Sequence, residues 1–223
     1  MWCIPPEANA AFVCAMENVL EVYQRPYDPK HPVVCMDEKP TQLVAETRTP
    51  LPPEPGKPQR IDYEYRRNGT ANLFLFTEPL ANWREATVTA RRTRTDWAHQ
   101  IRQLLDERYP EAVQVTLVCD NLNTHAGASL YEAFPPAEAR RLLEKLELIP
   151  TPVHGSWLNI AEVELAVLEK QALGERVPDP SSLAARVGAW NQDRNQKNAT
   201  VRWQFKTADA RIKLHRLYPQ ITA

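Results

Sequence analysis

The alternation of apolar and polar positions opens the chain on a helix. Residues 7 to 24 place Phe12, Ala15, Met16, Val19, Leu20 and Tyr23 three or four apart, one face of an amphipathic helix. Pro26, Pro29 and Pro32 then halt helical propagation ahead of a short apolar strand at 33–37, with a second short strand expected at 41–46. The stretch TRTPLPPEPGKPQR, 47–60, holds five prolines and one glycine and reads as an exposed loop. Period-two alternation returns in IDYEYRR (61–67), TANLFLFT (70–77) and WREATVTA (83–90), the makings of an antiparallel set.

From residue 96 the period lengthens again, and DWAHQIRQLLDERY turns Trp97, Ile101, Leu104 and Leu105 to one side. EAVQVTLVCD (111–120) is apolar on both faces near its end, as a central strand covered on two sides should be. Residues 128–146 are mostly helical with a break at Pro135 and Pro136, and LELIPTP (146–152) is a short strand. A helix runs from about Asn159 to Leu173, and helices near 180–192 and 207–217 close the chain. Strands in succession, followed by strands alternating with helices, predict an α/β fold: a mixed sheet whose antiparallel strands are extended by parallel ones and flanked by helices.

Composition narrows the class. At 223 residues and 43% hydrophobic, the chain can bury one sizeable core, alone or with a helical appendage. No apolar run approaches the roughly 18 residues that span a bilayer, and the start, MWCIPPEANA, lacks the pattern of a signal peptide. Cys3, Cys14, Cys35 and Cys119 form no CxxC pair, so reduced thiols in a cytoplasmic protein, without disulfides or structural zinc, are expected. The net charge of −1 hides an asymmetry: from Arg186 onward eight Lys and Arg face Asp193 and Asp209, a tail of +6 on a body of −7. That suits a nucleic-acid surface and equally a solvated helical face.

The candidate chemistry is acidic. Asp37 and Asp120 each close an apolar strand, and ligand sites in open α/β sheets gather at the carboxyl ends of strands. On neighbouring strands the two would sit a few ångströms apart and need a shared proton or a bridging cation. Mg²⁺ is the hard, oxygen-seeking choice. Taken singly, each Asp reads as well as a turn or cap residue. A third acid comes from the helix after Asn159 or Ser156, either of which can cap it. Glu162 and Glu164 there point roughly 200° apart, and apolar residues flank both directions, so periodicity does not choose between them.

The segments MDEK (36–39), LVCDNLNTH (117–125) and HGSWLNIAEVE (154–164), in that order, resemble the catalytic core of the IS630/Tc1/mariner-type transposases, the DDE superfamily endonucleases. The likeness runs from about residue 10 to 218. It implies an RNase H-like fold with Asp37 on the first strand, Asp120 on the adjoining fourth, and Glu162 on a later helix, all three catalytic and metal-binding, with Glu164 a neighbour. It also implies two Mg²⁺ ions, replaceable by Mn²⁺, and the cutting of an element's ends and their joining to target DNA. The expected organisation is an amino-terminal helix and linker (1–32), the catalytic core (33–175) and a basic helical extension packed on it (176–223).

Lys39, Arg91, Arg92, Arg94, His125 and Trp157 are candidate DNA contacts. Their plainer readings are a strand lysine, a solvated turn, a structural histidine and a packing tryptophan. Double-stranded DNA is the expected partner, with a homodimer to hold two element ends. The family's amino-terminal helix-turn-helix region has no room before a strand at residue 33. End recognition then falls to a separate helix-turn-helix polypeptide, to a portion outside this sequence, or to nothing. The 41 residues between Asp120 and Glu162 exceed the usual family gap, which points to an insertion near YEAFPPAEAR. Lys39 stands where a haloacid dehalogenase-type phosphatase needs a second Asp, which disfavours that enzyme. The alternative to a transposase enzyme is a non-catalytic DNA-binding or assembly remnant.

Overall fold

Asn9 starts helix α1 (Ala10–Val22): its side-chain oxygen accepts the Phe12 N–H at 2.9 Å, satisfying a donor that every helix start leaves open. The expected stripe is the one that packs, with Phe12, Met16, Val19 and Leu20 buried, each contributing about 1.5–3 kcal/mol by leaving water. The computed structural model describes residues 4, 5 and 7–220, so Cys3 lies outside the described residues. Cys14, Cys35 and Cys119 are free thiols.

Strand β1 (Val33–Glu46) joins the two short strands expected at 33–37 and 41–46 into one. Lys39 and Pro40 do not break it, because past Met36 only one side of β1 is paired, to β2 (Tyr65–Glu78). A residue without an N–H is tolerated on such an open side. Strand β2 likewise absorbs part of 61–67 and all of 70–77, but begins only at Tyr65; residues 61–64 belong to the loop. Between the pairs Gln42–Thr70 and Val44–Arg67 one strand advances two residues and the other three. Gly69, at φ 90°, takes up the extra residue in a conformation open to glycine. The proline-rich loop is exposed and closes on itself through bridges Leu51–Arg60 and Glu54–Lys57.

Strand β3 (Trp83–Thr89) runs antiparallel to β2, β4 (Val115–Cys119) parallel to β1, and β5 (Leu146–Pro150) parallel to β4, giving the order β3-β2-β1-β4-β5. On one face α1, α5 (Ile160–Ala172), α6 (Pro180–Gln196) and α7 (Thr207–Lys213) pack over Val33, Cys35, Leu73, Leu75 and Val118. The other face carries α2 (Arg94–Gln103) with its π-helical continuation Leu104–Arg108, α3 (Gly127–Ala133) and α4 (Pro136–Glu144). These cover Val34, Met36, Phe74, Phe76, Leu117 and Cys119. The result is the three-layer mixed α/β architecture expected from the order of elements. None of the described helices is long and apolar enough to cross a membrane.

Helix α6 is sewn to the edge strand by side-chain amides. Asn195 exchanges two hydrogen bonds with the backbone of Arg84, at 3.0 and 2.8 Å, and Asn191 exchanges two with Ala86, at 2.9 Å each. Four helical residues rise about 6 Å and two strand residues about 6.7 Å, so the two amides match the free N–H and C=O groups along β3. The unpaired edge, otherwise a template for aggregation, is thereby closed.

Candidate active site

The last parallel pair of β1 and β4 is Met36 with Cys119, so Asp37 and Asp120 are the next residue on each strand, at the carboxyl ends. Neighbouring strands lie about 4.8 Å apart. Strand alternation then fixes direction. Val33 and Cys35 face α1 and α5, whereas Val34 and Met36 face α2, so Asp37 points to the α5 side and Glu38 to the α2 side. Asp120 follows Val118 to the same side as Asp37. Glu162 lies in the first turn of α5, on that face.

Asp37 feels the other two acids. Burial foremost, then repulsion from Asp120, with smaller contributions from Glu162 and Glu38, pushes Asp37 up to about 7, against one hydrogen bond from the Glu38 N–H at 2.7 Å. Asp120 accepts from Thr151 Oγ1 at 3.3 Å and from Asn159 Nδ2 at 3.4 Å. Among the described residues no three His, Cys, Asp or Glu side chains are grouped closely enough to hold a metal ion between them. The donor set nonetheless suits Mg²⁺, which is held by one or two carboxylates while water and substrate phosphate complete its shell, rather than by an all-protein cage. Cys35 and Cys119, the softer donors nearby, are buried within the sheet.

Asn159 organises the site. Fully buried, it donates from Nδ2 to the Met36 carbonyl at 2.8 Å and to Asp120, while its Oδ1 accepts the Ala161 N–H at 3.1 Å and caps α5. One side chain thus joins the end of β1, the acid after β4 and the helix that carries Glu162. Of the two caps the sequence allowed, Asn159 rather than Ser156 serves. Tyr23 supports the same corner, donating its hydroxyl to the Leu158 carbonyl at 2.8 Å and accepting the Ile160 N–H at 3.3 Å.

Glu38 and His125 form a pair on the opposite face. The almost fully buried imidazole lies 2.9 Å by Nδ1 from the Asp120 carbonyl and 3.0 Å by Nε2 from Glu38 Oε1, with its ring stacked on Trp97. Both partners are acceptors, so both nitrogens donate and the ring is an imidazolium. Burial pulls its pKa down, but the Cys119 sulfur, the Glu38 carboxylate and the Asp120 carbonyl outweigh that and raise it to about 10. His125 is therefore turned inward, its hydrogen bonds spent inside the protein.

The other candidates divide. Lys39 pairs with Glu169 of α5 at 2.6 Å. Arg91 and Arg92 are exposed on the loop between β3 and α2, and Arg92 comes within 3.9 Å of Glu38. Arg94 pairs with Glu132 at 2.6 Å. Trp157 packs edge-on to Phe205, 5.9 Å between centroids, against the core. Glu164 is fully buried between Arg84 and Arg194, so the two glutamates that periodicity could not separate have distinct surroundings. Sequence reasoning missed Arg84, Arg194, Thr151 and the joining role of Asn159. Only the parity of Glu38, opposite to that of Asp37, was there to be read.

A family model described as DDE superfamily endonuclease matches residues 32–184. Solved structures that match in fold include three of Mos1. The Mos1 mariner paired-end complex with Mn is 17% identical, covering 87% of this chain and 60% of that one at a TM-score of 0.57. The Mos1 strand transfer complex is 17% identical, covering 87% and 59% at 0.58. The catalytic domain of Mos1 mariner transposase is 16% identical, covering 87% and 90% at 0.54. The chain thus spans about three-fifths of the Mos1 chains in those complexes and nearly all of the isolated catalytic domain, whose RNase H-like fold it shares. No curated protein sequence matches.

Proposed function

The chain belongs to the DDE superfamily endonucleases, and from that premise we propose that it is the catalytic domain of an IS630-type transposase, cutting DNA at the ends of an element and joining them to target DNA. What supports the reading is Asp37 and Asp120 side by side at the carboxyl ends of a parallel strand pair, with Glu162 on the helix over the same face, where burial and then the charges of the other two raise the pKa of Asp37. Asp37 and Asp120, joined by Glu162 from α5, would hold Mg²⁺ or Mn²⁺. Bound there, two such ions supply an activated water or 3′-hydroxyl and stabilise the departing oxyanion.

The protein's own part is to aim. Asn159 fixes Asp120 against the end of β1, the His125–Glu38 pair holds the Asp120 backbone from behind, and the cap on α5 sets where Glu162 enters. Arg91 and Arg92, exposed on the loop between β3 and α2, suit DNA phosphates. A core at 33–175 with 176–223 docked on it, a homodimer, a helix-turn-helix region on this or another polypeptide, and a cytoplasmic, DNA-associated location complete the reading.

Incubating purified protein with supercoiled plasmid and with element-end duplexes, with and without Mg²⁺ or Mn²⁺, tests it. Metal-dependent nicking abolished by Asp120→Ala is expected. Tight DNA binding with no cleavage under any divalent cation, even with a helix-turn-helix partner supplied, would instead favour an assembly module.

A further inference from the structure

Helix α5 has to present Glu162 at one angle, yet its hydrophobicity does not define that angle. Its inward apolar stripe is Ile160, Ala161, Leu165 and Leu168, with the half-buried Val167 at its margin, while Val163, at 41% exposure, and Ala166 on the outer side are apolar as well. That stripe turns the helix inward, but apolar contact is non-directional and leaves its fine angle loosely held. One residue of the inward stripe differs from this background. Glu164, fully buried, accepts from Arg194 Nη2 at 2.9 Å with each oxygen and from Arg84 Nη2 at 3.3 Å. The two arginines come from different elements, Arg84 from β3 and Arg194 from α6. Arg84, itself buried, is anchored in turn on the carbonyls of Asn82, Arg194 and Ala199.

We infer that Glu164 is a positioning residue: its ion pairs with Arg84 and Arg194 set the rotation of α5 about its axis and so aim Glu162 at Asp37 and Asp120. The inference rests on the reading of those three acids as the catalytic set. A stabilising role alone accounts poorly for the cluster. A buried arginine and a half-buried one share one carboxylate, and the Nε of each is buried without a partner. Replacing such a cluster with apolar side chains is often neutral or stabilising, whereas a two-sided charged grip does what Leu165 and Leu168 cannot, since it admits one orientation. A carboxylate about 6 Å from a helix axis moves about 2 Å when the helix turns by roughly 20°, and a misplacement of about 1 Å in a catalytic group is enough to cost about 100-fold.

The test is Glu164→Gln, assayed well below its melting temperature with the folded fraction measured by circular dichroism, and backed by Arg194→Gln at the half-open rim should Glu164→Gln fail to fold. The readouts are DNA cleavage per folded molecule, the KM for DNA, and Mn²⁺ affinity by electron paramagnetic resonance. Cleavage is expected to fall about 100-fold and Mn²⁺ affinity about tenfold, with KM unchanged. Whichever variant folds, cleavage and Mn²⁺ binding at wild-type levels would overturn the inference and leave the catalytic reading standing. Wild-type protein that neither binds Mn²⁺ nor cuts DNA would overturn that reading, and this inference with it.

Discussion

Removing the Asn159 side chain should disconnect the site while leaving the hydrophobic core untouched. In Asn159→Ala, α5 loses its cap, which costs about 1 kcal/mol. The Met36 carbonyl, in the last β1–β4 pair, loses a 2.8 Å donor inside the protein, which costs about 1–3 kcal/mol. The sum is about 2–4 kcal/mol. For a chain of this size each kcal/mol lowers Tm by about 2–4 °C, so a drop of about 5–15 °C follows. Urea unfolding provides the free energy directly, with the m-value expected to be unchanged because no additional surface is exposed in the native state. Asn159→Ser should recover the capping part alone, because its shorter side chain cannot serve helix and strand together. Asn159→Asp keeps the cap acceptor but sets a carboxylate against Asp120 and a carbonyl, so its stability should be lowest at neutral pH and improve as that acid is protonated. If Asn159→Ala unfolds within about 0.5 kcal/mol of wild type, the side chain does not join the site as argued.

Three further outcomes follow from the geometry. Asp120→Asn should abolish cleavage yet raise melting temperature at neutral pH without metal, because it removes the strongest repulsion on Asp37; a lower Tm in differential scanning fluorimetry would contradict the repulsion. Because the pKa of Asp37 is raised to about 7 in the fold, protons compete with cations below that pH, so the Tm increment given by Mg²⁺ should be larger at pH 8 than at pH 6, and an equal increment at both would refute this. The pKa of His125, raised to about 10 from an ordinary value near 6.5, adds stability that is fully present below about pH 6.5 and is lost as pH climbs through 10; His125→Gln should flatten the fall in stability between pH 7 and 10, and an unchanged slope in chemical denaturation would count against the pair.

Much of this was legible in the chain because the signals were local. The stripe of α1, the doubly apolar β4 and the break at Pro135 and Pro136 each follow from a periodicity that survives in the fold. Asp37 and Asp120 stood out because each ends an apolar run. What escaped depends on distant neighbours. Pro40 reads as a strand breaker until it is known that β1 has only one partner there. Tyr65, not Ile61, begins β2 because alternation alone cannot tell strand from exposed loop in a proline-rich arm. Glu38 was overshadowed by Asp37, although parity sent it to the opposite face to meet a histidine 87 residues away. Glu162 and Glu164 could not be ranked by spacing, because the two arginines around Glu164 lie 80 residues before it and 30 after.

The most direct measurement of the central claim is a crystal structure of the protein soaked in Mn²⁺, with data collected near the manganese absorption edge. The account predicts an anomalous peak coordinated by Asp37 and Asp120 at the ends of β1 and β4, with Glu162 at the same centre, and its loss in Asp120→Ala. Manganese bound elsewhere, with these three carboxylates unligated, would contradict it.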